Sequence, residues 1–271
     1  MKLAVSTLAC PQWTLDEIIA AAARSGIGGI DFRGVGAEID ITHLTAFTVH
    51  LDKTLATLRA ANLSMPCLNT SVTLLATPAA RWEAMIEECH RYAKLAPKAG
   101  TPFVRVFGGS APKDLDHREV LAMARRRLRQ LVKVCQGRHC KPIVETHDDW
   151  CTAPEMLELL DGFDADEVGV LWDIEHSFRR GEAPELTPRR LGNFLAHVHI
   201  KDSVRIDGRS KPTLLGEGEL PVRQCVMALR EIGYGGFYSL ETEKRWHSDA
   251  PEPSESLPQF AAFMRGLEAS A

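Results

Sequence analysis

Eight short apolar runs alternate with longer amphipathic stretches along this 271-residue chain. The runs have the length of buried strands, and the stretches have the periodicity of surface helices. A repeated strand–helix order favours the α/β class, and eight repeats favour closure into a (β/α)8 TIM barrel. An open doubly wound sheet is disfavoured, because Cys10-Pro11-Gln12-Trp13 stands where such a sheet carries a glycine-rich phosphate loop.

The predicted elements cover most of the chain. Strands are expected at Leu3–Ala9, Gly29–Arg33, Ser64–Thr70, Pro102–Phe107, Pro142–His147, Val168–Asp173, His197–Asp202 and Gly236–Glu243. Helices are expected at 15–25, 43–61, 79–99, 117–136, 154–161, 187–196, 221–232 and 254–268. Because no stretch rich in Pro, Gly or Ser separates these elements, one domain spanning residues 1–271 is expected. Residues 203–219 are the longest irregular segment and are expected to form a lid or substrate loop.

Composition and charge exclude several classes of protein. The chain is 45% hydrophobic and 25% charged, with a net charge of −4, which gives no sign of a nucleic-acid partner. No apolar run is long enough to cross a bilayer, and the first residues lack the apolar core of a signal peptide. The seven cysteines are odd in number and form no CxxC pair, which favours reduced thiols and a cytoplasmic location.

Acidic and imidazole side chains collect at the ends of the last four predicted strands. The main candidate ligands, one from each strand, are Glu145, Asp173, His199 and Glu241. In a barrel the carboxyl ends of the strands meet at one face, and carboxylates held close together need a cation. Oxygen-rich donors with one nitrogen suit Mn²⁺, Mg²⁺ or Co²⁺ and also accept Zn²⁺. The sequence therefore predicts one divalent metal ion, while the first four strands are expected to end mostly in small or apolar residues and amides.

Strand alternation places further polar residues beside this set. His147 shares a face with Glu145, and Lys201 shares one with His199, so both are predicted to contact substrate. A solvated strand-end lysine and a loop histidine are the alternatives. Trp13 and Trp246, near strand–helix junctions, are expected to wall the substrate pocket or to cover the barrel rim.

Strand alternation also bears on the directions of two other residues in predicted strands. By alternation Trp172 points outward towards the helices. Arg105 points the same way as Phe103 and Phe107. Inside the barrel this arginine would require an acidic partner, which the sequence does not identify.

The runs VETH, LWDIEH, HVHIKD, LLGEGELP and YGGFYSLETEKRW resemble those of the xylose-isomerase-like (AP endonuclease 2-type) barrels. That family includes sugar and sugar-phosphate isomerases and epimerases, inosose isomerases and dehydratases, and hydroxypyruvate isomerases. The resemblance implies that Glu145, Asp173, His199 and Glu241 bind one divalent metal ion. It also implies that Glu145 and Glu241 act as an acid/base pair and that His176 and Arg205 contact substrate.

One position departs from the family pattern. Ketose epimerases have a second glutamate six residues after the first metal-binding glutamate, and Cys151 stands there in this chain. We therefore keep two hypotheses. The first is a metal-dependent isomerase or epimerase of a small sugar, keto-sugar or polyol derivative, which moves a proton through a metal-stabilised enediolate. The second is a lyase or dehydratase acting on a keto-glycoside, inosose or dehydroshikimate-like substrate.

Two further functions are disfavoured. An apurinic endonuclease of this family has extra zinc-binding histidines on the earlier strands, whereas this chain has Cys67-Leu68-Asn69 there and a net negative charge. A non-catalytic barrel is disfavoured because all four candidate ligand residues are present. The expected partner is a small carbohydrate rather than a nucleic acid or a membrane. The family resemblance allows a homo-oligomer, although no stretch of sequence identifies an interface.

Overall fold

A computed structural model describes residues 1–269 and confirms the predicted (β/α)8 barrel class. Eight parallel strands lie in the order β2-β1-β10-β7-β6-β5-β4-β3, and two further strands pair separately. The strands are β1 (Lys2–Ser6), β2 (Gly29–Asp31), β3 (Cys67–Thr73), β4 (Phe103–Phe107), β5 (Lys141–Glu145), β6 (Gly169–Asp173), β7 (Leu195–Ile200), β8 (Asp202–Ile206), β9 (Arg209–Thr213) and β10 (Phe237–Leu240).

Helices follow the barrel strands as the sequence pattern predicts. The α-helices of the described residues are α1 (Leu15–Arg24), α2 (Leu51–Ala60), α3 (Ala79–Ala99), α4 (His117–Cys135), α5 (Ala153–Leu159), α6 (Ile174–Arg179), α7 (Leu186–Leu191), α8 (Val222–Glu231) and α9 (Pro253–Ala269). Over residues 1–269, none of them combines the length and the hydropathy needed to cross a membrane. The predicted domain bounds, 1–271, stay a prediction, and their last two residues lie outside the described part.

Two compact units can be distinguished within the chain. The first contains residues 1–66 together with the residues from Val198 onward, and β10 pairs in parallel with β1 and β7, with Ser239 opposite both Ala4 and His199. The second contains Cys67–His197 and pairs β3, β4, β5 and β6 in parallel. Burial of β-branched and other apolar residues on these strands builds the interior of each unit.

Reciprocal capping boxes mark the starts of three α-helices. Thr14 with Glu17, and Thr152 with Glu155, form them at the starts of α1 and α5. Asp116 with Glu119 forms the third, at the start of α4. The side chain of Trp172, predicted to point towards the helices, is buried, and its indole Nε1 donates to Ser177 Oγ of α6 at 2.8 Å.

Several predicted boundaries were wrong by a few residues. The first strand ends at Ser6 rather than Ala9, because the Ser6 side chain caps a 3-10 helix over Thr7–Ala9. The last barrel strand ends at Leu240, so Glu241 lies just beyond it. The helix predicted over 43–61 begins only at Leu51, after two short 3-10 turns. In place of the helix predicted over 187–196, α7 ends at Leu191 and β7 begins at Leu195.

The segment predicted as irregular, 203–219, is more ordered than expected. Most of its first half belongs to an antiparallel hairpin of β8 and β9, with Ile206 opposite Arg209. The carboxylate of Asp202 anchors the stretch that comes after this hairpin. Its Oδ2 accepts from the backbone N–H groups of Gly216 (2.8 Å) and Gly218 (3.1 Å), and its Oδ1 accepts from those of Ser203 (2.9 Å) and Leu220 (3.1 Å).

Candidate metal centre

Glu145 ends β5 and is held by a buried arginine. Its side chain is 2% exposed, and its Oε2 lies 3.0 Å from Nε of Arg105, a β4 residue that is 1% exposed. Arg105 Nη1 also donates to the backbone oxygen of Thr70 on β3 at 3.1 Å. Glu145 is therefore the acidic partner that Arg105 was expected to need, and the pair compensates two charges that would be costly to bury alone.

The loop after β5 carries His147 into contact with two other rings. Its imidazole lies 4.9 Å from the ring of Phe107 and 4.4 Å from that of His176, measured between centroids. Its Nδ1 lies 3.1 Å from Oδ1 of Asp148. Burial would lower the pKa of His147, but the hydrogen bond to Asp148 and the nearby charges of Glu145 and Asp173 raise it overall. His147 is thus a half-buried imidazole biased towards its protonated form.

Asp173 ends β6 and begins a helix that the sequence did not predict. Its carboxyl Oδ1 accepts from the backbone N–H of Glu175 at 2.9 Å and so caps α6. Its Oδ2 lies 3.8 Å from Nε2 of His176, one helical turn later. The short helix therefore fixes the carboxylate of Asp173 and brings His176 beside it, as their Asp-x-x-His spacing indicates.

His199, Lys201 and Glu241 form a second buried group. Glu241 Oε2 lies 3.1 Å from Nδ1 of His199 and 2.8 Å from Nζ of Lys201. Lys201 also reaches Oε1 of the half-buried Glu243 at 3.4 Å. Burial would raise the pKa of Glu241, but the charges and hydrogen bonds of His199 and Lys201 hold it well below its usual range. Glu241 is therefore a carboxylate that stays ionised although it is buried.

Asp31 belongs to this group, and sequence reasoning missed it. It ends β2, is fully buried, and its Oδ2 lies 4.0 Å from Nε2 of His199. The expectation that the first four strands end mostly in small or apolar residues and amides is therefore wrong at β2. The signal that could have found Asp31 is an acid directly after the short apolar run Gly29-Ile30.

The other predicted substrate contacts lie nearer the surface. Trp246 is 57% exposed, with the guanidinium of Arg245 at 5.7 Å from its ring centroid. Arg205 is exposed on β8, and Trp13 is half-buried after the first strand. The substrate contacts predicted for Trp13, Arg205 and Trp246 stay predictions.

Comparison with known proteins identifies the family to which this chain belongs. The chain belongs to the xylose isomerase-like TIM barrel family, whose sequence profile matches residues 19–266. Over 111 residues it is 28% identical to the uncharacterized protein MJ1311 of Methanocaldococcus jannaschii. That match spans 40% of this chain and only 36% of the relative's length.

Three solved structures share the fold at low sequence identity. The probable 3-DHS dehydratase AsbF, involved in petrobactin synthesis, from Bacillus anthracis has a TM-score of 0.82 at 21% identity, covering 98% of this chain and 99% of its own. The IolI protein with a bound zinc atom has a TM-score of 0.83 at 15% identity, covering 100% and 99%. A D-allulose 3-epimerase from Methylomonas sp. has a TM-score of 0.79 at 18% identity, covering 98% of each chain.

Proposed function

We propose that this chain is a divalent-metal-dependent isomerase or epimerase of a small sugar, keto-sugar or polyol derivative. The observation that carries the proposal is a donor set of three carboxylates and one imidazole, all buried: Glu145, Asp173, His199 and Glu241. These four are among the side chains of the described residues that could together hold a metal ion. The IolI structure, in the same fold, contains a zinc atom.

The chemistry of the donor set fits a divalent cation. Carboxylate oxygens with one imidazole nitrogen suit Mn²⁺, Mg²⁺, Co²⁺ or Zn²⁺, with Mn²⁺ our first choice. The carboxylate of Glu241 is held in its ionised form, which is the form that binds metal. Asp173 is fixed by its bond to the N-terminus of α6, so that its orientation is set before any ligand binds.

The protein groups around this set suit proton transfer next to a carbonyl group. When bound, a divalent cation would polarise a carbonyl of the substrate. Glu145 and Glu241 would then act as the acid/base pair, since an ionised carboxylate can accept a proton from carbon and return it. Lys201, 2.8 Å from Glu241, has N–H donors for a substrate oxygen, and His147 and His176 offer further donors.

Hydrogen exchange with solvent deuterium tests this function. Enzyme loaded with Mn²⁺ is incubated in D₂O with a panel of ketoses and keto-inositols, and exchange at carbon is followed by NMR. We expect exchange and isomer formation with at least one of them. Glu145→Gln and Glu241→Gln should each slow exchange by about 10²-fold or more. Glu83→Gln, at an exposed glutamate of α3, is the control. Absence of exchange with every substrate would refute the proposal.

A lyase is the second candidate, and Cys151 favours it. This residue occupies the position at which ketose epimerases have a glutamate, and its side chain is buried, with Sγ 3.0 Å from the backbone oxygen of Asp148. Burial raises the pKa of the Cys151 thiol to about 11, so a neutral thiol replaces a carboxylate. Loss of water or an aglycone from an inosose, a keto-glycoside or a dehydroshikimate-like compound, without isomer formation, would favour the lyase.

A further inference from the structure

Arg105 is one of the largest fully buried side chains of the described residues. A guanidinium stays charged at every accessible pH and carries donors only, so its burial requires acceptors on several sides. Arg105 has them. Nε faces Glu145 Oε2 at 3.0 Å, Nη1 donates to Thr70 O at 3.1 Å, and the guanidinium carbon lies 3.8 Å from the centroid of the Phe107 ring.

These contacts fix the guanidinium from three directions. The strand that carries it is itself tied to β3, because Thr70 Oγ1 donates to the backbone oxygen of Arg105 at 2.8 Å. The planar fork cannot rotate without breaking the bond to Thr70 or leaving the ring of Phe107. Glu145 therefore forms its ion pair, with Oε2 at 3.0 Å from Nε, with a charge that is itself fixed in place.

We infer that Arg105 is a positioning residue for Glu145, which it orients for the metal-ligand and acid/base roles proposed above. This inference rests on the proposed function. The pairing works through position as well as charge, because the bond of Nη1 to Thr70 and the ring of Phe107 hold the guanidinium 3.0 Å from Glu145. Groups that orient metal ligands typically contribute 10- to 100-fold to metal affinity.

The test measures Mn²⁺ affinity by EPR titration of free Mn²⁺, independently of activity. Arg105→Lys keeps the charge and loses the fork, whereas Arg105→Met keeps much of the bulk and loses the charge. We expect both to weaken Mn²⁺ binding by roughly 10- to 100-fold and to slow carbon–hydrogen exchange. The matched control is Arg127→Lys, because Arg127 is also buried, donates to Leu74 O at 2.7 Å and lies over Trp82. Mn²⁺ affinities equal to that of the control would overturn the inference.

A double-mutant cycle separates positioning from general packing. If Arg105 acts through Glu145, Arg105→Lys should cost little further Mn²⁺ affinity in a Glu145→Gln background. Equal losses in both backgrounds would mean a structural role only, and would sink the inference. If the Arg105 variants fail to fold, Phe107→Leu tests the same idea, because it removes the ring against which the guanidinium lies. This variant should also bind Mn²⁺ more weakly than the wild type, and an unchanged affinity would refute the inference.

The outcome for Arg105 can be told apart from that of the proposed function. Normal Mn²⁺ binding and exchange in the Arg105 variants would refute only the positioning role. Wild-type enzyme that binds Mn²⁺ but exchanges no substrate hydrogen would refute the proposed reaction. The Mn²⁺ affinities of the Arg105 variants would still test the positioning role of Arg105. Wild-type enzyme that binds no Mn²⁺ would overturn both.

Discussion

The carboxylate of Asp202 should hold residues 214–220 in their folded conformation. In Asp202→Asn the side chain keeps its shape, but one oxygen becomes an NH₂ donor. Each oxygen of Asp202 accepts from two backbone N–H groups, Oδ1 from Ser203 and Leu220 and Oδ2 from Gly216 and Gly218. Whichever way the amide turns, two of these N–H groups lose their acceptor and face another donor.

The expected cost follows from the lost bonds that hold the segment. Because Ser203 lies outside it, the segment loses one bond, from Leu220, if the amide nitrogen replaces Oδ1, and two bonds, from Gly216 and Gly218, if it replaces Oδ2. A hydrogen bond to a charged acceptor contributes about 1.5–3 kcal/mol, so the segment should open more easily by about 1.5–6 kcal/mol. Since about 1.4 kcal/mol corresponds to a tenfold change in an equilibrium constant, its amides should exchange roughly 10- to 10⁴-fold faster than in the wild type.

Hydrogen–deuterium exchange read by mass spectrometry measures this directly on peptides that cover 214–220. The control is Asp207→Asn, at an exposed aspartate in the turn between β8 and β9. The control should leave exchange of the 214–220 peptides unchanged. Exchange in Asp202→Asn within about threefold of wild type would show that the four bonds do not hold the segment, and would refute the reasoning.

Three further predictions concern the loops and the proposed metal. Gly108→Ala would place a Cβ 2.1 Å from Cδ1 of Trp150. We therefore expect the free energy of unfolding, measured in urea, to fall by about 1–3 kcal/mol and the tryptophan fluorescence to change. An unchanged urea midpoint would contradict this. Burial raises the pKa of Glu155, but hydrogen bonds from Thr152 and the charge of Arg180 lower it overall. The ionised carboxylate therefore stabilises the folded protein above the ordinary pKa of glutamate, and this stabilisation is lost as the pH falls through the lowered pKa of the folded state. Glu155→Gln should therefore flatten the pH dependence of stability below about pH 5, and an unaltered slope would count against it. Chelation should abolish exchange and lower the melting temperature, with recovery on adding Mn²⁺; full activity after chelation would exclude a metal role.

The strand-end residues could be predicted because their placement depends only on chain order and alternation. Once eight strand–helix repeats are recognised, the carboxyl ends of parallel strands must lie at one face, and Glu145, Asp173 and His199 each end or nearly end a run. The pairing of Arg105 with Glu145 could not be named in the same way. It depends on the register between β4 and β5, which places Phe107 opposite Glu145 and is set by packing rather than by local sequence.

The hairpin of β8 and β9 was missed although a local signal was present. Asp207-Gly208 is a two-residue turn in which both residues have positive φ, 49° and 78°, as an Asp-Gly hairpin turn requires. Most residues of the flanking strands are only half-buried or exposed, so the usual contrast between apolar and polar positions is weak there. The start of α6 was also missed, because Asp173 serves at once as the end of a strand and as the cap of the next helix.

The two glutamates proposed as the acid/base pair have basic partners of different kinds. Glu145 pairs with a guanidinium locked against Thr70 and Phe107, whereas Glu241 pairs with the ammonium of Lys201, which also reaches Glu243. A guanidinium in a fixed plane holds one geometry, while a lysine ammonium rotates and can shift between two carboxylates. The structure therefore gives Glu145 a rigid partner and Glu241 an adaptable one. If both glutamates transfer protons, Lys201 beside Glu241 is the basic partner that can move when the charge of its carboxylate changes during the reaction.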